Sequence, residues 1–302
     1  MASPLSPTTP PDAALRQIVA GCHADLLKYR AIVLAGRRPI GIHQTRVALR
    51  RLRAALNLFR PAVRGPIEER LVRSLSAEAK WLAGECGPAR DLYVFMTESI
   101  EDPDPVVKRI ANRLARAYLE RARAALSDAR FAAFEGQLTA FIEGPPGTTG
   151  QLDSFGRDAL DTRHAKVEHR GRKLGRLDGK RLHRLRIAIK KLRYAAAFLT
   201  PAFDSRRAKP YIEATVRLQG ALGALNDRTV AAQILADIAR AARPTEKVER
   251  PVARLAKQAK SGDVILAMLP DTGERYLSTF LLEGVNEGSD DAWLASLDAP
   301  RV

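Results

Sequence analysis

Apolar residues recur every three to four positions along most of the chain, which is the spacing of helices with one buried face. In the segment from Ile42 to Pro61, Leu49, Leu52, Leu56 and Phe59 fall on one side of a helix that turns 100° per residue. Convincing period-two runs of β-branched residues are missing. The pattern therefore predicts an all-α protein.

Glycine and proline clusters divide this helical pattern into segments. The stretch from Glu143 to Asp153 is the best candidate for a central linker, and it predicts a first helical half over 13–145 and a second over 151–295. Residues 1–12 are rich in proline, serine and threonine, which predicts a disordered tail. The apolar pattern from Val106 to Phe141 fits one long helix or two.

Two sequence features occur once in each half and in the same order. The stretch "IHQTRVALRRLRAALNLFRP" from Ile42 returns as "LHRLRIAIKKLRYAAAFLTP" from Leu182, and "LAGECGPARD" from Leu82 is echoed by "LQGALGALND" from Leu218. This order predicts an internal duplication. Each half is then expected to form a bundle of about four helices, because one amphipathic helix cannot bury its face alone.

The repeated helix carries cations on the face opposite its apolar stripe. The first copy presents His43, Arg46, Arg50 and Arg53, the second presents His183, Arg186, Lys190 and Arg193, and Arg51 matches Lys191 on a flank. Neither copy has an acidic residue between its histidine and its proline, although like charges one turn apart destabilise a helix. A negatively charged polymer lying along the helix would compensate this repulsion.

The net charge of the chain also favours a negatively charged partner. Fifty Lys and Arg residues face 34 Asp and Glu residues, for a formal charge of +16. Such a surplus favours nucleic acid, an anionic membrane or a phosphate polymer. The excess of 38 Arg over 12 Lys also fits a genome that favours arginine codons. The short apolar runs and the two cysteines predict a cytoplasmic protein without a signal peptide, membrane span or disulfide framework.

Signals of catalysis are weak. The sequence has no glycine-rich phosphate loop with its lysine and no clustered carboxylates, and no second ligand stands one turn from either motif histidine. We therefore expect no metal, no cofactor and no enzymatic activity. A phosphate-ester or polyphosphate hydrolase with His43 or His183 as phosphoryl acceptor is the alternative. Whether the histidines contact a ligand or are structural stays open.

The two "H-x-x-R-x-x-x-[RK]-[RK]-L-R" helices, with Tyr194 after the second, resemble those of the CHAD family, the conserved-histidine α-helical domain. The resemblance implies two four-helix bundles related by a pseudo-twofold axis, whose basic surfaces meet at a groove or pore. It also implies binding of inorganic polyphosphate and association with polyphosphate granules and their proteins. The charge pattern by itself leaves a nucleic-acid-binding basic helical protein as an alternative function, with nucleic acid as a weaker polyanion partner. The catalytic domain that many relatives carry leaves no pattern here, so a stand-alone module is expected.

Further residues are carried over as secondary predictions. Lys80, Arg90 and Arg217 lie beside the glycine–aspartate loops, and "HRGRK" supplies Arg170, Arg172 and Lys173. Asp91 and Asp227 are expected to be structural, either as caps of helices that start at Leu92 and Arg228 or as braces for arginines. Tyr194 is also expected to be structural, and the role of the C-terminal segment stays open.

Overall fold

In the computed structural model, every regular element of the described residues is helical. The described residues are 5–36, 39–63, 65–98, 100, 103–145, 147, 150–172, 179–203, 205–221, 224–243, 245–247, 250–253 and 255. The helices are α1 (Pro11–Ala35), α2 (Pro39–Leu58), α3 (Gly65–Glu85), α4 (Gly87–Glu98), α5 (Pro105–Ser127), α6 (Ala129–Glu143), α7 (Leu152–Gly171), α8 (Gly179–Leu199), α9 (Ser205–Ala221) and α10 (Ala224–Ala241). The all-α prediction is confirmed.

The predicted apolar stripes of the two repeated helices are buried. Leu49, Leu52, Leu56 and Phe59 expose 1% of their surface or less. On α8 the corresponding stripe exposes 3% or less and consists of Leu185, Ile189, Leu192 and Leu199. Both helices end before a short 3-10 turn that contains the matched prolines, at Arg60–Ala62 and Thr200–Ala202. Proline supplies no backbone N–H to continue a helix, which explains the shared end point.

The pattern from Val106 to Phe141 forms two helices rather than one. Asp128 separates α5 from α6, and its carboxylate accepts a hydrogen bond from the Phe131 backbone N–H at 2.9 Å. Asp104 caps α5 in the same way through the Val106 N–H, also at 2.9 Å. Each aspartate satisfies an N–H group that the first turn of a helix leaves without a partner.

The hydrophobic core does not divide at the central linker. Phe59 at the end of α2 stacks on Phe155 of α7, with ring centroids 5.1 Å apart. A separate apolar cluster joins α4 and the start of α5 to α10, through Phe95, Ile110 and Ile238. The two sequence halves therefore share buried surface instead of folding around independent cores.

Three sequence predictions need correction. The first half contributes six described helices rather than about four. Residues 5–12 are structured rather than disordered: Leu5 packs against the main core, Pro11 begins α1, and the carboxylate of Asp12 accepts a hydrogen bond from the Gly147 N–H. Helix α4 begins at Gly87 rather than Leu92 and helix α10 at Ala224 rather than Arg228, so neither Asp91 nor Asp227 caps a helix.

Candidate functional site

The two repeated helices lie side by side in the fold, and their cationic faces meet. Lys190 of α8 lies among four arginines, two from each helix, that act on it electrostatically. We call this group the central cationic cluster; its members are Arg50, Arg53, Arg186, Lys190 and Arg193. The cluster joins residues that are about 140 positions apart in the sequence.

Lys190 is the most strongly perturbed member of the cluster. Its pKa falls from 10.5 to about 7, first because burial disfavours the charged form and then because Arg50, Arg186, Arg193 and Arg53 repel it. The charges that act most strongly on the ammonium group are thus all positive. Within the described part of the chain, no carboxylate forms an ion pair with Lys190. An anion placed here would relieve the repulsion.

Two arginines of the cluster keep buried donors without an acceptor. The Nε atoms of Arg50 and Arg53 are enclosed, and neither has a hydrogen-bond partner among the residues that the structure describes. Buried polar groups are nearly always hydrogen-bonded in folded proteins, and leaving one unsatisfied costs about 1 to 3 kcal/mol. These donors are therefore available to the acceptor oxygens of an anion bound at the cluster.

Arg193 is positioned by its own helix and by α9. Its Nε donates to Oε1 of Gln219 at 2.9 Å, and its guanidinium lies 4.8 Å from the ring centroid of Tyr194. Tyr194 is 7% exposed and stacks on Phe198 with ring centroids 6.0 Å apart. These contacts fit the structural role predicted for Tyr194. Gln219 was missed, although it lies in the repeated glycine loop, because the first copy has an alanine at that position.

Arg46 is held at the junction of α3 and α4. Its Nη1 donates to the carbonyl of Ala83 at 2.9 Å, and its Nη2 lies 3.6 Å from a carboxylate oxygen of Asp91. A Cβ atom on Gly87 would come within 2.6 Å of Nη1, so a larger residue there would displace the guanidinium from this position. Asp91 is therefore a brace for an arginine, which was the second of the two roles predicted for it.

His43 has a partner from the same junction. Nε of Arg90 donates a hydrogen bond to Nδ1 of His43 at 2.6 Å. A ring nitrogen that accepts carries no proton, so the neutral ring bears its hydrogen on Nε2. His43 therefore helps to fix Arg90, one of the secondary predictions. His183, its counterpart, is exposed on α8.

The flanking pair, Arg51 and Lys191, occupies unequal surroundings. Arg51 donates to Asp25 of α1 at 3.2 Å, whereas Lys191 lies near Lys166, Arg163 and Arg170 of α7. Arg51 is thus neutralised beside the cluster, whereas Lys191 has no ion-pair partner within the described ranges.

The other secondary residues are spread over α3, α7 and α9. Lys80 and Arg217 are exposed on α3 and α9, and Arg172 is exposed at the end of α7. Arg170 donates to the carbonyl of Arg184 at 2.8 Å. Lys173 and the side chain of Asp227 lie outside the described residues. The structure therefore gathers the primary set more closely than the secondary one.

Three observations on the described residues bear on chemistry. They contain no group of three or more His, Cys, Asp or Glu side chains that could hold a metal ion. Burial raises the pKa of the Cys86 thiol to about 12. In the same ranges, none of the helices is both long and apolar enough to pass through a lipid bilayer. The arrangement found between α2 and α8 is suited to electrostatic binding of an anion.

Comparisons with known proteins agree with this architecture. A family model of the CHAD domain matches residues 17–236. The crystal structure of the CHAD domain from the plant Ricinus communis superposes with a TM-score of 0.73 at 25% identity, covering 100% of this chain and 96% of that one. PptA from Streptomyces chartreusis shares the fold, with a TM-score of 0.57 at 15% identity over 90% of this chain and 100% of the other.

A curated relative matches over a short segment. It is the O-ureido-L-serine synthase of Streptomyces lavendulae, which is 77% identical over 44 residues. That segment spans 15% of this chain and 14% of the synthase. A match of this length carries no activity from the synthase to this chain.

Proposed function

Because the chain belongs to the CHAD domain family, we propose that it binds inorganic polyphosphate on the central cationic cluster and catalyses no reaction. Members of the family are generally associated with polyphosphate. The observation that carries the proposal is Lys190, which is enclosed by four arginines from two repeated helices. A linear polyanion is the ligand class that would compensate all five charges at once.

The chemistry of the cluster suits phosphate oxygens. Guanidinium groups donate in a planar fork to two oxygens, while an ammonium group acts as a point charge. The unsatisfied Nε atoms of Arg50 and Arg53 would each gain an acceptor. A helix of 20 residues, such as α2, is about 30 Å long, so the ligand can follow a strip of charge rather than a single point.

We also infer that the chain arose by internal duplication, with a pseudo-twofold relation between its halves. The matched cations, the matched 3-10 turns after α2 and α8, and the repeated glycine loops support this inference. In this interpretation α1 to α4 correspond to α7 to α10 in the same order. Helices α5 and α6 then belong to the connection between the repeats.

Binding to the cluster is tested with labelled polyphosphate at about 150 mM salt, where exposed charges are screened. The variant Arg50→Gln/Lys190→Gln removes one cation from each helix, and Arg70→Gln/Arg116→Gln removes two exposed cations elsewhere. We expect at least tenfold weaker binding by the first variant and no change for the control. Equal affinities for the two variants would exclude the central cluster as the site.

The salt dependence gives a second, independent readout. If five phosphates are neutralised and each contributes about −0.7, the logarithm of the affinity should fall with the logarithm of the salt concentration with a slope near −3.5. For Arg50→Gln/Lys190→Gln the slope should be shallower by about 1.4, because two of the contacts are lost. Competition with duplex DNA and RNA ranks the polyanions. Stronger binding of nucleic acid would replace the proposed ligand.

The absence of catalysis and the cellular location belong to the same proposal. Incubation with long-chain polyphosphate and Mg²⁺ should leave the chain length unchanged, whereas shortened chains would indicate a hydrolase. We propose a cytoplasmic protein that associates with polyphosphate granules. Fluorescence microscopy of the tagged protein should then show foci that disappear in cells unable to make polyphosphate.

A further inference from the structure

A second group of cations lies on α8, around the helix from the central cluster. Lys180, Arg184 and Lys191 are all exposed, and they fall within an arc of about 40°, centred about 100° from Lys190. On a helix of 10 to 12 Å diameter, an angle of 100° corresponds to about 10 Å along the helix surface between Lys190 and this second group. The two groups are therefore close enough for one flexible polymer to reach both.

Helix α7 adds three cations beside this stripe. Arg163, Lys166 and Arg170 fall within an arc of about 60° on α7, whereas the nearby acids Asp158, Asp161 and Glu168 lie on the opposite side. We call the six cations the α7–α8 flank; they are Arg163, Lys166, Arg170, Lys180, Arg184 and Lys191.

The flank is not neutralised by its own side chains. The pKa of Lys191 is lowered first by burial and then by Lys166, Arg163 and Arg170, and each of these neighbours is positive. The acceptors that the structure shows for the flank are backbone carbonyls. Arg163 donates to Ala159 at 2.9 Å, and Arg170 donates to Arg184 at 2.8 Å. A solvated surface usually mixes both signs, so this arrangement favours an external anion.

The first half has no equivalent of the flank. The positions that match Lys180 and Arg184 are Ile40 and Gln44, and Arg51, which matches Lys191, is paired with Asp25. On α1, Arg30 is engaged within the fold: its Nε donates to the carbonyl of Leu126 at 2.7 Å, and its guanidinium lies 4.7 Å from the Phe131 ring centroid. The cations of the flank thus belong to one repeat alone.

We propose that the α7–α8 flank binds the continuation of the polyphosphate chain that lies on the central cationic cluster. The proposal rests on the function proposed above. The polyphosphate-binding surface is then asymmetric, because the polyphosphate extends from the central cationic cluster across α8 and α7 and not across α2 and α1. Long chains gain contacts on the flank that short chains cannot make.

The test compares tripolyphosphate with long-chain polyphosphate as ligands of the full-length protein. The flank variant is Lys166→Gln/Arg184→Gln/Lys191→Gln, in which all three side chains are exposed. Its control is Arg70→Gln/Arg116→Gln/Arg157→Gln, which removes the same charge from exposed positions elsewhere. We expect the flank variant to bind long chains about tenfold more weakly than the control, with unchanged tripolyphosphate affinity. Circular dichroism confirms that both variants are folded.

The outcomes separate this proposal from the one on which it rests. If flank and control variants bind long chains equally well, the flank proposal is wrong and the central cluster is unaffected. If the flank variant loses affinity for duplex RNA or DNA but not for polyphosphate, the flank is a nucleic-acid surface and the proposal is also wrong. If the wild-type protein binds neither phosphate polymer, the proposed function itself fails.

Discussion

Replacing Lys190 with methionine should make the ligand-free protein more stable. The substitution removes a partly buried charge from among four arginines and keeps an unbranched side chain of similar length. The wild-type lysine can avoid part of the cost by losing its proton, but losing a proton also costs free energy at neutral pH. The stabilisation therefore depends on pH in a way that can be calculated.

The magnitude follows from the shift in the lysine pKa. A fall from 10.5 to about 7 corresponds to about 5 kcal/mol. Between these two pKa values the unfolded chain binds more protons than the folded one, so the unfolding free energy rises with pH. The cost is fully present below about pH 7 and is lost towards pH 10.5. At pH 7 it amounts to roughly 4 kcal/mol, and by pH 9 it falls by about 2 kcal/mol.

Urea unfolding of wild type and Lys190→Met at pH 7 and at pH 9 measures this difference directly. The variant should be more stable by up to about 4 kcal/mol at pH 7, and the gap should narrow by about 2 kcal/mol at pH 9. Lys180→Met, at an exposed position on the same helix, controls for loss of a lysine and should show no such narrowing. A variant no more stable than wild type at pH 7, or a gap that stays constant with pH, would refute the reasoning.

Three other results are expected. Above pH 7, polyphosphate binding should be coupled to the uptake of close to one proton at Lys190, so the affinity should fall up to tenfold per pH unit. Calorimetry in buffers of different ionisation enthalpy measures the number of protons taken up, and a value of zero would contradict this prediction. Gly87→Ala places a Cβ 2.6 Å from the guanidinium of Arg46, the far end of a flexible side chain, which should move aside at a cost of less than about 1 kcal/mol in unfolding free energy; urea unfolding measures this cost, and a loss of more than about 2 kcal/mol would contradict it. Cys86 should resist thiol reagents until the protein unfolds, because it is fully buried with a pKa raised to about 12; labelling of the native protein would contradict this.

The buried face of each repeated helix could be predicted because it depends on local periodicity. Leu49 and Leu56 are two turns apart, and this spacing places them on one side of any α-helix. The same geometry placed Arg50 and Arg53 on the other side. The sequence also indicated that the second copy carries matched cations, but periodicity contained no signal that the two copies would be neighbours, and that expectation came from the family resemblance alone.

Contacts between distant segments could not be predicted. Arg51 pairs with Asp25 of another helix, and Gln219 orients Arg193 across 26 positions. Neither pair has a spacing that a helix or turn enforces, so each depends on how the helices pack. Composition also misled at the N-terminus: a stretch rich in proline and serine is ordered because Leu5 packs against the core. In these segments, tertiary packing determines the structure, and the local sequence preference does not predict it.

The identity of residue 190 explains how such a cluster can fold without its ligand. Its counterpart in the first repeat is Arg50, and an arginine cannot lose its proton under ordinary conditions. A lysine can, so the protein can reach its folded state with one charge fewer where the two helices meet. At pH 9 and without polyphosphate, Lys190→Arg should therefore be less stable than wild type by about 3 kcal/mol, whereas at pH 7 the two should differ by less than about 1 kcal/mol, because the unfolding free energy of the variant lacks the rise between pH 7 and pH 9. With saturating polyphosphate the two proteins should be about equally stable, since the ligand compensates either cation. Urea unfolding with and without polyphosphate measures the stability difference between the two proteins in each condition. If Lys190→Arg is as stable as wild type at pH 9 without polyphosphate, deprotonation at this position is not needed for folding.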